Sequence, residues 1–238
     1  MPTPRTHPKI IGHRGAMAAH PENTLPGIEG ALEQGVDGIE IDIWRHDSGR
    51  LLVFHDESLD RTTDGSGALT TTPFDVLRAL DAGGGARIPL LEEVLALTDG
   101  RCELNIELKG PGTALALASF LEQHPTYDRA SLLLSSFKVT ELEIAMARMP
   151  DLRRGVLVVK PNDEAFAEVA RLKAFSLHPS ARHTTEATIE RARDLGVEVY
   201  AWTVNDEQTS KQLAAWNVDA LITDSPDRVR AYVFDHAD

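Results

Sequence analysis

The sequence predicts an α/β fold, a (β/α)8 TIM barrel with a small insertion after a hairpin on its second strand. Three observations predict it. Short apolar runs rich in β-branched residues alternate from end to end with longer stretches of helical spacing. Eight such runs occur, the number that closes a barrel. The length of 238 residues suits a barrel, which commonly takes roughly 250, so residues 1–238 are expected to form a single domain.

The eight runs are residues 9–12, 38–43, 103–108, 131–135, 154–159, 174–177, 198–203 and 220–223. Between the first two, Asn23 or Thr24 offers a helix start ahead of residues 26–34. Residues 184–195 read as a helix stopped by Gly196. Residues 51–54 look like a further strand, but only residues 45–50 separate them from the second one, too few for a parallel crossover. They read as the return arm of a hairpin around His46-Asp47-Ser48-Gly49. With Arg45 paired to Arg50, the antiparallel count puts Val53 opposite Asp42 and His55 opposite Glu40. Residues 56–88, dense in Thr, Gly and Asp and holding Gly83-Gly84-Gly85, break the rhythm as an irregular excursion. The residues from Phe234 onward read as a frayed tail.

Composition narrows the function. A hydrophobic fraction of 42% with 26% charged residues supports a large core. The net charge of −13 argues against nucleic acid and against stable docking on an anionic membrane, while favouring a divalent cation. The one cysteine, Cys102, has no partner for an internal disulfide. The segment Met1–Pro8 lacks the apolar core of a signal peptide, and no run reaches the ~18 apolar residues of a membrane span. A cytoplasmic protein acting on a small molecule is expected. Its oligomeric state is not legible.

Chemistry concentrates in the first half. Glu40 and Asp42 stand two apart on a strand and share one face; with Ile39, Ile41 and Ile43 on the other, that face is the barrel interior. Glu107 and Lys109 repeat the pattern against Leu104, Ile106 and Leu108. Carboxylates aimed into one cavity repel unless a cation lies between them, and oxygen ligands alone suit Mg²⁺ or Ca²⁺ rather than zinc. An interior salt-bridge network with Lys109 and Arg14 would use the same spacing. His13 and Arg14 fall at the end of the first strand, on the rim where barrel enzymes work. Arginine forks onto phosphate oxygens and lysine adds a compact charge. Histidine transfers protons near neutral pH, and His13 and His55 both fall at strand ends beside the carboxylates. His7, His20, His46, His124, His183 and His236 read as surface or structural residues. Asn23 and Thr24 read as helix caps, and Glu22 as a water-mediated ligand or an orienter of a histidine. Ser135-Ser136-Phe137, His178-Pro179, Trp202 and Thr223-Asp224 line later strand ends, where Trp202 either stacks on a substrate or is core.

The ordered motifs Gly12-His13-Arg14-Gly15, Pro21-Glu22-Asn23-Thr24, Glu40-x-Asp42, His55-Asp56, Arg61-Thr62-Thr63, Glu107-Leu108-Lys109 and Trp202-Thr203-Val204-Asn205 resemble the glycerophosphodiester phosphodiesterase family, of bacterial cytoplasmic type. The resemblance runs from His13 to about Asp227. It implies metal-dependent hydrolysis of glycerophosphodiesters to sn-glycerol 3-phosphate and an alcohol. It further implies Glu40, Asp42 and Glu107 as metal ligands, His13 and His55 as acid/base residues, Arg14 and Lys109 as phosphate contacts, and Trp202 as a lining of the substrate pocket. It also implies that the insertion helps cover the mouth of the site. On this reading His13 is the base and His55 the acid, with water or the glycerol 2-hydroxyl attacking. A lysophospholipase D-type reaction would keep this site and add an apolar groove. A non-catalytic phosphate-binding barrel would have lost a histidine or ligand, and none is missing.

Overall fold

A computed structural model describes residues 7–234. Its strands and helices alternate: β1 (Lys9–His13), α1 (Leu25–Glu33), β2 (Gly38–Arg45), β3 (Leu51–Val53), α2 (Phe74–Ala79), α3 (Leu91–Thr98), β4 (Glu103–Leu108), α4 (Thr113–Gln123), β5 (Leu132–Ser136), α5 (Val139–Arg148), β6 (Arg153–Val158), α6 (Asp163–Arg171), β7 (Ser176–Pro179), α7 (Glu186–Asp194), β8 (Glu198–Ala201), α8 (Glu207–Ala215), β9 (Ala220–Thr223) and α9 (Pro226–Phe234). All strands but β3 pair in parallel, and β1 bonds both β2 and β9, so the sheet closes into the expected eight-stranded barrel. The start of the chain and the expected frayed tail, with His236, lie largely outside the described residues. Among the described residues no helix is long and apolar enough to cross a membrane.

The period of two along each strand sorts the side chains. Ile39, Ile41 and Ile43 of β2, with Leu104, Ile106 and Leu108 of β4, are fully buried in the layer between barrel and helices. Ile11, Leu133, Tyr200, Ala220 and Ile222 fill the interior as a separate cluster. At the N-terminal end of the strands the interior is plugged by ions. Lys9 Nζ donates to Tyr200 at 2.5 Å and pairs with Glu103 and Glu198, each at 3.3 Å, and Arg153 donates to Glu103 at 2.7 Å. Chemistry is left to the opposite, C-terminal rim.

Thr24 caps α1 as its type predicts, its hydroxyl accepting from the Gly27 amide at 3.3 Å, and Thr185 caps α7 before Gly196 ends it with φ +70°. β1 and β2 run on by one and two residues and β6 shifts back by one, while β5, β7 and β8 are offset from the expected spans for identifiable local reasons. Ser131 is consumed in a 3-10 turn that begins at Arg129, so β5 starts at Leu132. Ala174 closes α6, its amide donating to Val169, so β7 starts at Ser176 and takes in His178. β8 ends at Ala201, before Trp202.

The hairpin exists, but its register is one residue from the expected one. Ile43 opposes Val53, Trp44 opposes Leu52 and Arg45 opposes Leu51. The cause is the turn: the His46 amide donates to Arg50, leaving a three-residue loop Asp47-Ser48-Gly49 with Gly49 at φ +85°, the left-handed position of a three-residue hairpin loop. The His46 ring locks that turn, bonding Ser48 Oγ at 2.7 Å and the Thr72 carbonyl at 2.8 Å. His55 therefore does not pair with Glu40. The last rung is the Phe54 amide to the Asp42 carbonyl at 2.9 Å, after which the chain bends and Trp44 Nε1 donates to the His55 carbonyl at 3.1 Å.

Residues 56–88 are mostly irregular, as expected, and include the short α2. They are packed rather than loose. Leu59, Leu69, Leu77 and Ile88 are fully buried in a satellite cluster with Trp44, Leu52 and Phe54 of the hairpin.

Candidate active site

Glu40, Asp42 and Glu107 converge because β2 and β4 pair with Asp42 opposite Glu107. Each supplies one oxygen, and these oxygens lie within 4.8 Å of one another. All three are buried, at 4%, 1% and 9% exposure. Burial pushes Glu40 well above the usual carboxylate range, and Asp42 and Glu107 push it further. Burial likewise raises Glu107, to about 7, with Asp42 adding to the effect. Asp42 alone is lowered, since Lys109 and Arg14 outweigh its burial. Three buried carboxylates with oxygen donors and a residual excess of negative charge fit a hard divalent cation.

Two cations bound the cluster. The Arg14 amide donates to Glu40 at 3.1 Å, its Nε lies 3.4 Å from Asp42, and its Nη1 donates to Glu22 at 2.8 Å. Lys109, just past β4, donates to Glu107 at 2.8 Å and sits 3.2 Å from Asp42. The salt-bridge network weighed from the sequence is therefore present around the cluster. Glu22 pairs with arginines and contacts neither histidine.

Asn23 differs from its sequence reading. It caps nothing; at φ +54° it turns its carboxamide onto Asp42, with Nδ2 donating to Oδ2 at 2.9 Å and Oδ1 accepting from the Asp42 amide at 3.2 Å. Asparagine is among the few residues at ease in that left-handed conformation.

Each histidine is held through Nδ1 by a carboxylate. His13 Nδ1 lies 2.7 Å from Asp224 Oδ1, and Asn205 donates to the other Asp224 oxygen at 2.6 Å. The remaining nitrogen, Nε2, points inward, 4.0 Å from Glu40. His55 Nδ1 bonds Asp56, whose other oxygen accepts from Arg61. Hydrogen bonds from Arg61 hold Asp56 down to about 2. Burial lowers the His55 pKa. An ionised carboxylate only accepts, so both rings carry their proton on Nδ1 and present Nε2 to the cavity.

The cavity between these groups is also lined by Asn105, Ser135, Phe137, Leu157, Trp202 and Ile222. Trp202 meets Phe137 edge to face at 5.5 Å and anchors its Nε1 on the His178 carbonyl at 2.8 Å, so its ring forms a wall. The Asn105 carboxamide and Ser135 hydroxyl are buried there without protein partners, available to polar groups of a ligand. His178 is not at the rim. It is fully buried, bonds Ser176 at 2.7 Å and stacks on Tyr200 at 5.0 Å, and burial pushes it down to about 3.

All eight residues singled out from the sequence (His13, Arg14, Glu40, Asp42, His55, Glu107, Lys109 and Trp202) meet at this one end of the barrel. Asn23, Asp56, Arg61 and Asp224 join them with contacts that sequence reasoning did not assign. Asn23, Asp56 and Arg61 stand inside the ordered motifs and Asp224 at the end of a strand that closure brings beside β1, but none of these signals names the contact it makes.

The sequence profile of the glycerophosphoryl diester phosphodiesterase family matches residues 13–228. A glycerophosphodiester phosphodiesterase of Caldanaerobacter subterraneus subsp. tengcongensis is 33% identical over 231 residues, covering 92% of this chain and 94% of that protein. One from Bacillus altitudinis is 35% identical, covering 92% of this chain and 96% of that protein. Among solved structures, an Oleispira antarctica phosphodiesterase in complex with the product sn-glycerol-3-phosphate superposes with a TM-score of 0.89 at 32% identity, covering 95% of this chain and 96% of that one. With fold, site and sequence in agreement, the chain belongs to the glycerophosphoryl diester phosphodiesterase family of phosphoric diester hydrolases.

Proposed function

We propose that the chain, as one barrel domain over residues 1–238, hydrolyses glycerophosphodiesters to sn-glycerol 3-phosphate and an alcohol, with Glu40, Asp42 and Glu107 holding Mg²⁺ or Ca²⁺. The observation that carries this is the convergence of three buried carboxylate oxygens within 4.8 Å between two carboxylate-braced histidines. A bound divalent cation would supply charge that favours the developing negative charge on the phosphate. Arg14 and Lys109, already beside the cluster, neutralise phosphate oxygens. His13, with Nε2 free, takes a proton from the attacking oxygen; His55 acts in its charged form, keeping its Nδ1 proton on Asp56 and giving a second proton from Nε2 to the leaving alkoxide. Trp202 packs against the glycerol carbons. The acidic charge of the chain supports a small-molecule substrate over nucleic acid, and its single cysteine, with no partner for an internal disulfide, suits a cytoplasmic setting.

A lysophospholipid would need an apolar groove near the mouth, and the weakly apolar segment 68–74 does not supply one. Leu69 is fully buried and Phe74 packs on the insertion's own cluster. Turnover of sn-glycero-3-phosphocholine should therefore exceed that of lysophosphatidylcholine. Activity should vanish on chelation, return with Mg²⁺ or Ca²⁺, and be lost in both His13→Ala and Glu40→Ala. Hydrolysis persisting in both variants under full metal would refute the assignment. Trapping of a cyclic glycerophosphate would identify the glycerol 2-hydroxyl as the attacking oxygen, whereas ¹⁸O entry from water in one step would exclude that route.

A further inference from the structure

The roles assigned above leave Arg61 unexplained. Its side chain is half-exposed on the insertion, yet it spends four of the five N–H groups of a guanidinium on two carboxylates. Nη1 and Nη2 each donate to Glu22 at 2.7 Å, while Nε and Nη2 donate to Asp56 at 2.6 and 3.1 Å. Each carboxylate holds a residue of the site in turn. Glu22 accepts from Arg14 at 2.8 Å, and Asp56 accepts from His55 Nδ1.

We propose that Arg61 is a positioning residue of the hydrolysis: its guanidinium ties Arg14 to His55 through Glu22 and Asp56, making the insertion a working part of the site. This rests on the reading of the site given under Proposed function. A bidentate, networked arginine of this kind can also add to folding stability, so melting temperature is read beside kcat. The backbone of Arg61 is fixed by other means. Leu59 is fully buried two positions earlier, its amide donates to the Gly67 carbonyl at 2.9 Å, and the Thr63 amide donates back to Leu59 at 3.2 Å. The guanidinium is thus pre-set by the packed insertion and presents two edges at once, one to each carboxylate. A lysine ammonium has no planar fork and cannot reproduce both bidentate contacts. The consequence is that the phosphate-facing arginine and a proton-transferring histidine share one mechanical anchor.

The test is Arg61→Ala in the full chain. We expect kcat on sn-glycero-3-phosphocholine to fall about 10²-fold, the scale of a misplaced catalytic group. The melting temperature should stay within about 3 °C of wild type. Arg61→Lys should recover part of the loss, and so should millimolar guanidinium added to the alanine variant. Imidazole ¹⁵N spectra of the neutral ring should show His55 as the Nδ1–H tautomer in wild type and as a tautomer mixture in Arg61→Ala. Wild-type kcat together with an unchanged His55 spectrum in the variant would overturn the proposal. So would a melting temperature that falls in step with kcat and no rescue by guanidinium. If the wild-type chain failed to hydrolyse the diester while the His55 spectrum still responded to Arg61→Ala, the coupling would stand and the functional reading alone would fail.

Discussion

His13 Nδ1 lies 2.7 Å from Oδ1 of Asp224, a residue 211 positions further along the chain. Barrel closure makes this contact, because β9 pairs with β1 and Gly12 opposes Thr223. An aspartate there fixes the ring with its proton on Nδ1, whereas an asparagine can also donate and so admits the other tautomer. Asp224→Asn should therefore lower kcat by at least about 10²-fold while the fold persists, a weaker form of the loss seen when a catalytic histidine's aspartate is replaced. Steady-state kinetics beside circular dichroism would check it. Unchanged kcat would show that the pairing is incidental.

On the proposed cation site, Glu107 links cation affinity as well as stability to pH. Its pKa is raised from 4.5 to about 7, chiefly by burial, so between those values the folded state keeps a proton that the unfolded state has released. Its contribution to stability is therefore full below pH 4.5 and lost as pH rises through about 7. After chelation, Glu107→Gln should be more stable than wild type at pH 8, by up to about 3 kcal/mol on the scale of 1.36 kcal/mol per unit. Below pH 7 protons compete with the cation, so titration calorimetry should find weaker binding at pH 6 than at pH 8.

His178 acts in the opposite direction. Burial holds it near 3 against an ordinary 6.5, so the unfolded state takes up a proton that the folded state refuses. Stability is present above 6.5 and is lost as pH falls from there toward 3, by up to about 1.36 kcal/mol per pH unit. His178→Phe, which keeps a ring against Tyr200, should flatten the acid limb of a urea-midpoint profile between pH 6 and 4. An unaltered slope would mean that the ring is protonated in the fold.

Asn23 grips Asp42 from both sides of its carboxamide. Removing a partner that orients a ligand typically costs 10- to 100-fold in metal affinity. Asn23→Ala and Asn23→Gly should both show about that loss, even though glycine relieves the backbone at φ +54°. A glycine variant with wild-type affinity would mean that the conformation matters and the hydrogen bonds do not.

Strand periodicity made much of this site legible in the linear sequence. A repeat of two places Glu40 with Asp42, and Glu107 with Lys109, on the inward face whatever surrounds them. Residue chemistry then named the oxygen cluster, and the order of short motifs named the family. The hairpin register was not legible, since it turned on whether His46 paired across the turn or joined the loop, a difference of one residue set by bonds to Ser48 and Thr72.

The sequence by itself determined the alternation of strands and helices, the inward faces and which ionisable residues gather at the strand ends, because these depend on neighbours two to four positions apart. Tertiary structure alone decided which groups brace them. Asp224 reaches His13 through barrel closure, Asn23 reaches Asp42 across 19 positions, and Arg61 reaches Glu22 across 39. Those partners are chosen by where the closed barrel and the packed insertion carry the backbone, and no local periodicity records that distance.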